Sequence, residues 1–158
     1  MEQCAAPDVY RGAHRGADAG ARYAESVEAA CASLEARGSG VCAMFVESGM
    51  SVAGVLLPPL TYLARCFAAV RARGGVCVCD EVQTGFGRFG RDAWWGFEAA
   101  AAGDAAAHPD IVTMGKCMGN GMPLAAVVCT GAVSDAFAGG PECVTDRADS
   151  TLSTAPLL

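Results

Sequence analysis

The chain has 158 residues, of which 53% are hydrophobic and 18% charged, and its formal net charge is −6 at pH 7. This is the length of one ordinary domain with ample material for a buried core, so most of it is expected to be folded. The basic residues are scattered singly, without the Lys/Arg cluster that neutralising phosphates requires, which argues against a nucleic-acid partner. No apolar run approaches the roughly 18 to 20 residues of a membrane-spanning helix, so no membrane partner is expected either.

Nine cysteines are present. Their odd number, the lack of a signal-peptide pattern before them and their place in apolar runs such as Val76-Cys77-Val78-Cys79 predict buried free thiols, not a disulfide framework. The compartment expected is a reducing one, cytoplasmic or mitochondrial. No CxxC pair and no nearby His pair accompany them, so no metal site is expected.

Residues 1 to 20 are rich in Ala, Gly, Asp and Arg without periodicity and read as loop. A helix is predicted from Arg22 to Ala36, where Tyr23, Val27, Ala30, Cys31 and Leu34 recur at helical spacing, with Gly38 placed to stop it. The run Val41 to Val46 reads as a parallel strand buried on both faces, since it is continuously apolar between glycines. Past Pro58-Pro59, a second helix is predicted from Leu60 to Arg73 and is ended by Gly74-Gly75. Further strands follow at Val76 to Cys79, Ile111 to Met114 and Ala125 to Cys129, and the stretch Ala99 to Ala107 reads as loop. Alternating strands and helices mean an α/β fold.

In open α/β sheets ligands bind beyond the carboxyl ends of the strands, and there this sequence puts Glu47, Asp80, Gln83 and Lys116. Asp80-Glu81 closes a buried strand and leads into Gly85-Phe86-Gly87, glycines that let backbone turn closely beside a ligand. A strand-end carboxylate needs a partner: a protonated heterocyclic nitrogen is one candidate, and the turn that the acid itself caps is another. Lys116 is the only lysine in the chain and sits between glycines at the end of an apolar run. Partial withdrawal from water would lower its pKa toward the neutral amine that a Schiff base requires, whereas an ordinary solvated loop lysine has no such role. Gly119-Asn120-Gly121 reads as a turn, and Trp94, Trp95 and Phe97 read as packing residues.

The segments CDEVQTGFGRFG, WWGFE and PDIVTMGKCMGNGMPLAAVV, in this order and spacing, resemble the cofactor region of the class III aminotransferases. The resemblance extends from about Tyr10 to Phe137. It implies a partial fold-type I large domain, mainly parallel sheet with flanking helices, over residues 1–141, followed by a divergent tail over 142–158. It also implies pyridoxal 5'-phosphate as cofactor, a small-molecule amine as substrate and a homodimer for the complete protein. Residue by residue, Lys116 matches the Schiff-base lysine that also shuttles protons, and Asp80 the acid at the pyridinium nitrogen. Val82 matches the residue packed on one ring face, with plain core packing as its alternative, and Gln83 matches the residue near the phenolic oxygen.

Within the family, Tyr10-Arg11-Gly12, Glu47-Ser48, Ser51-Val52-Ala53-Gly54 and Met118-Gly119-Asn120-Gly121 look closer to phospho-lyases acting on phosphoethanolamine or phosphohydroxylysine. Many aminotransferases of the family have Glu-Pro in place of Glu47-Ser48 and a second acid in place of Val52. An ω-aminotransferase using pyruvate or glyoxylate is the alternative. A non-catalytic remnant is the third reading, because family members are much longer and Thr145 aligns with no family threonine.

Overall fold

A computed structural model of the protein describes residues 1–90 and 93–138. Four strands, β1 (Ala43–Glu47), β2 (Val76–Asp80), β3 (Ile111–Met114) and β4 (Ala126–Cys129), form a sheet in the order β1-β2-β3-β4. The first three run parallel and β4 runs antiparallel to β3. Among the described residues the α-helices are α1 (Ala19–Ala36), α2 (Tyr62–Arg71), α3 (Gly96–Ala101) and α4 (Gly131–Ala138). This is the α/β fold that the alternating pattern predicts, with the mainly parallel sheet that the resemblance implies. No described helix is long and apolar enough to cross a membrane.

Helix α1 ends where the glycine signal places its end. Gly38 adopts φ +75°, and the amides of Gly38 and Ser39 turn back onto the carbonyls of Glu35 and Leu34. These are the two bonds of a Schellman cap, which needs the left-handed conformation that glycine adopts without strain. The buried stripe Tyr23, Val27 and Cys31 then faces α2, whose Leu63, Cys66, Phe67 and Val70 share one core with Val46, Cys77, Cys79, Val112 and Met114 of the sheet. Asp110, just before β3, accepts from the Arg71 guanidinium at 3.0 Å and from the Cys77 amide at 2.7 Å. That clamp fixes where β3 starts, and so where its other end delivers Lys116.

The pairing register separates the two faces of the sheet. Val46, Cys79 and Val112 lie abreast on the helix-covered face, while Phe45, Val78 and Ile111 lie abreast on the other. On that second face Phe45 is 75% exposed and Val127 65% exposed. The expectation that β1 is buried on both faces is therefore corrected: β1 is an edge strand with one uncovered face among the described residues. A continuous apolar run reports that a strand is unsuited to water but not which elements cover each side.

The stretch 99–107, expected as loop, contains the end of α3 and a short 3-10 helix, Ala105–Ala107. Glu98 starts α3 by accepting from the amides of Trp94 and Trp95 at 2.8 and 2.9 Å, and the alanines that follow have the highest helix propensity. The tail 142–158 lies outside the described residues.

Every described cysteine is a free thiol. Burial pushes the thiols of Cys66, Cys77 and Cys79 up to about 12, whereas Cys42 is exposed, against the expectation that the cysteines are buried. Only the thiolate is an effective nucleophile. Iodoacetamide at neutral pH is thus expected to alkylate Cys42 in the folded protein and to leave Cys66, Cys77 and Cys79 untouched until denaturant is added. Peptide mapping checks this, and early labelling of Cys79 would contradict the packing described.

Candidate active site

Three adjacent parallel strands end side by side. The register pairs Glu47 with Asp80 and Asp80 with Thr113, and the Glu81 amide donates to the Thr113 carbonyl at 2.8 Å. β3 ends at Met114, and Gly115 carries the chain to Lys116. Glu47, Asp80 and Lys116 therefore gather at the carboxyl end of the sheet, the end at which α/β folds bind ligands.

Asp80 is half-buried, and its Oδ1 accepts from the Val82 amide at 2.9 Å. No donor reaches Oδ2 among the described residues. Val82 adjoins the lysine segment as well as Asp80, since a Cβ on Gly115 would stand 3.8 Å from Val82 Cγ1. Gln83 is exposed, and its Nε2 donates to Ser51 Oγ at 3.0 Å. The Ser51 amide in turn donates to Glu47 Oε2 at 3.2 Å, so the loop after β1 and the turn after β2 are tied together.

Lys116 is exposed and has no ion-pair partner among the described residues. The expectation that it is partly withdrawn from water is corrected. The residues on either side of it do meet the turn after β2: Gly115 lies beside Val82, and the Cys117 thiol reaches the Gly85 carbonyl at 3.9 Å. The Lys116 φ of +43° lies in the left-handed region, which for a non-glycine residue costs on the order of 1 kcal/mol or more. The 3-10 helix Lys116–Gly119 holds it there through the Met118 amide on the Gly115 carbonyl at 3.0 Å. Gly119-Asn120-Gly121 forms the expected turn, with Asn120 at φ +48°, and sends the chain into antiparallel β4.

Sequence reasoning missed the role of Glu81. It is fully buried and accepts from Ser48 Oγ at 2.7 Å, Thr84 Oγ1 at 2.5 Å, the Gly96 amide at 2.9 Å and the Phe97 amide at 2.9 Å. Strand alternation was the available signal, because neighbours in an extended chain point to opposite sides and two successive acids cannot share one site. Of the aromatic residues, Phe97 is buried and Trp95 stacks on it with ring centroids 6.5 Å apart. Trp94, expected to be a packing residue, is 57% exposed and packs edge-on with Phe86, the ring centroids 5.8 Å apart.

The "Aminotransferase class-III" profile matches residues 3–157. The chain belongs to the class III aminotransferases. It is 45% identical over 136 residues to an alanine–glyoxylate aminotransferase 2-like protein of Drosophila melanogaster, which covers 83% of this chain and 26% of the fly protein. It is 42% identical over 144 residues to ethanolamine-phosphate phospho-lyase homolog 1 of Caenorhabditis elegans, covering 84% and 30%. Among solved structures, a phospholyase from Arthrobacter in complex with phosphoethanolamine superposes with a TM-score of 0.66 at 40% identity, covering 76% of this chain and 27% of that one. The chain thus spans between about a quarter and a third of the length of these class III relatives.

Proposed function

We propose that this chain carries the Schiff-base lysine of a pyridoxal-5'-phosphate-dependent phospho-lyase, which converts phosphoethanolamine or phosphohydroxylysine to an aldehyde, ammonia and phosphate. The observation that carries the reading is that Asp80 and Lys116, a carboxylate with one oxygen unfilled and an amine without an ion pair among the described residues, stand at the ends of neighbouring strands with Val82 beside both segments. An acceptor oxygen and an amine that have no partner among the described residues, with an apolar side chain beside the glycine that precedes the amine, suit a flat, protonated heterocyclic aldehyde. The residues fit this cofactor, and Lys116, Asp80, Val82 and Gln83 would hold it.

When bound, the cofactor supplies an electron-accepting ring. Asp80 would keep a proton on the ring nitrogen, Val82 would bound one ring face and Gln83 would serve the phenolic oxygen. Lys116 Nζ takes the proton from the substrate carbon that bears the amine. The reaction would then divide by what stands on the next carbon: a phosphate there would leave with the C–O bond electrons and water would hydrolyse the resulting enamine to aldehyde and ammonia, whereas a substrate without one would pass its amino group by way of the cofactor to a keto acid.

Support for the lyase branch comes from the Arthrobacter and nematode relatives. The side chains agree with it, since Val52 is 92% exposed where many aminotransferases place a second acid. Ser48 spends its hydroxyl on Glu81 where they place a proline that has none. The name of the fly relative favours the alternative, an ω-aminotransferase. The complete protein is proposed to be a homodimer, as closed twofold assembly is the commonest oligomer.

Incubating the full-length protein with phosphoethanolamine, pyridoxal phosphate and no keto acid is expected to release inorganic phosphate and ammonia in equal amounts. Turnover of an amine that depends strictly on pyruvate or glyoxylate, with no phosphate release, would move the protein to the aminotransferase branch.

A further inference from the structure

We propose that Glu81 is a positioning residue for the cofactor-facing turn, holding Asp80, Val82 and Gln83 in place from behind; this rests on the site reading above. Its two oxygens are filled symmetrically. Oε1 takes the Ser48 hydroxyl and the Phe97 amide, and Oε2 takes the Thr84 hydroxyl and the Gly96 amide. A carboxylate has about four acceptor sites, so Glu81 keeps none for a substrate or cofactor. It also has no cationic partner among the described residues, and a buried carboxylate without one is tolerated only when fully hydrogen-bonded.

The four donors come from three segments: Ser48 directly follows β1, Thr84 lies in the turn itself, and Gly96 and Phe97 begin α3. Asp80 and Val82 flank Glu81 in the chain, and the Asp80 carboxylate is itself bonded across it to the Val82 amide. Any rotation of the Glu81 backbone therefore displaces both cofactor-facing neighbours. The approach is close enough to exclude a side chain at Gly96, where a Cβ would come within 2.9 Å of both Ser48 Cβ and Thr84 Cβ. A buried carboxylate with four donors from three segments defines one orientation of the turn, which an apolar side chain of the same size would not.

The test uses the full-length protein and the variants Glu81→Gln, Thr84→Val and Thr84→Ser. Glu81→Gln turns one acceptor oxygen into a donor that faces two donors, and Thr84→Val removes one bond at constant shape. Both are expected to weaken pyridoxal phosphate binding by roughly tenfold or more, read from titration of its visible absorbance. Amide hydrogen exchange in the cofactor-free protein is expected to quicken at residues 81–85 and 96–97 while α1 and α2 keep their protection. Thr84→Ser, which retains the hydroxyl, is expected to restore both. Should Glu81→Gln fail to fold, Thr84→Val and its serine rescue decide. Wild-type affinity and spectrum in Thr84→Val would overturn the proposal, as would faster exchange spread evenly over the whole chain. If the unmodified protein takes up no pyridoxal phosphate, the site reading falls by itself, and the exchange pattern still decides whether Glu81 holds the turn.

Discussion

Borohydride treatment of the full-length protein incubated with pyridoxal phosphate is expected to fix the cofactor onto Lys116, and Lys116→Ala is expected to abolish both that label and the visible absorbance of the bound cofactor. Lys116 is the only lysine in this chain, and its amine has no ion pair among the described residues that would hold it away from the sheet end. If Lys116 transfers the proton as proposed, loss of its amine alone is expected to lower turnover by about 10²- to 10⁴-fold, with the loss of covalent attachment added to it. Peptide mapping of the reduced protein is the informative measurement. Label recovered on a lysine outside this chain and absent from Lys116 would sink the assignment, and absence of label anywhere would favour the non-catalytic remnant.

The positions of the strands along the chain and the gathering of Glu47, Asp80 and Lys116 at one sheet end were legible because each depends on local signals. Apolar runs mark the strands, glycines mark the helix ends, and parallel pairing aligns the carboxyl ends. Exposure was not legible. Phe45 reads as core in the sequence and stands 75% exposed, and Lys116 reads as sheltered and stands in the open. In both cases the missing information is what lies opposite, which depends on contacts far apart in the chain. Glu81 went unread for a related reason: its four donors come from residues 48, 84, 96 and 97, and no local pattern announces that these segments meet. The resemblance to class III enzymes pointed to the residues proposed to face the cofactor, but it said nothing about Glu81, whose carboxylate is buried on four protein donors.

The charge of Asp80 is the second feature on which a large effect is expected, and Asp80→Asn isolates it. Asparagine keeps an Oδ1 that can accept from the Val82 amide, so the turn after β2 retains the 2.9 Å bond seen in the structure. What it loses is the negative charge proposed to face the ring nitrogen, and removing one preorganised electrostatic contact of this kind costs on the order of 10²- to 10³-fold in turnover. The melting temperature of the cofactor-free protein should meanwhile stay close to that of the unmodified protein. Asp80→Ala gives the contrast, because it removes the Val82 bond as well and is expected to cost about 1 kcal/mol of stability on top of the catalytic loss. The competing reading, in which Asp80 merely caps the turn, makes the opposite ordering: asparagine caps as well as aspartate and would keep turnover, while alanine would lose stability first. Measuring kcat and the cofactor-free melting temperature for both variants separates the two, and an Asp80→Asn protein with undiminished kcat would remove Asp80 from the catalytic site.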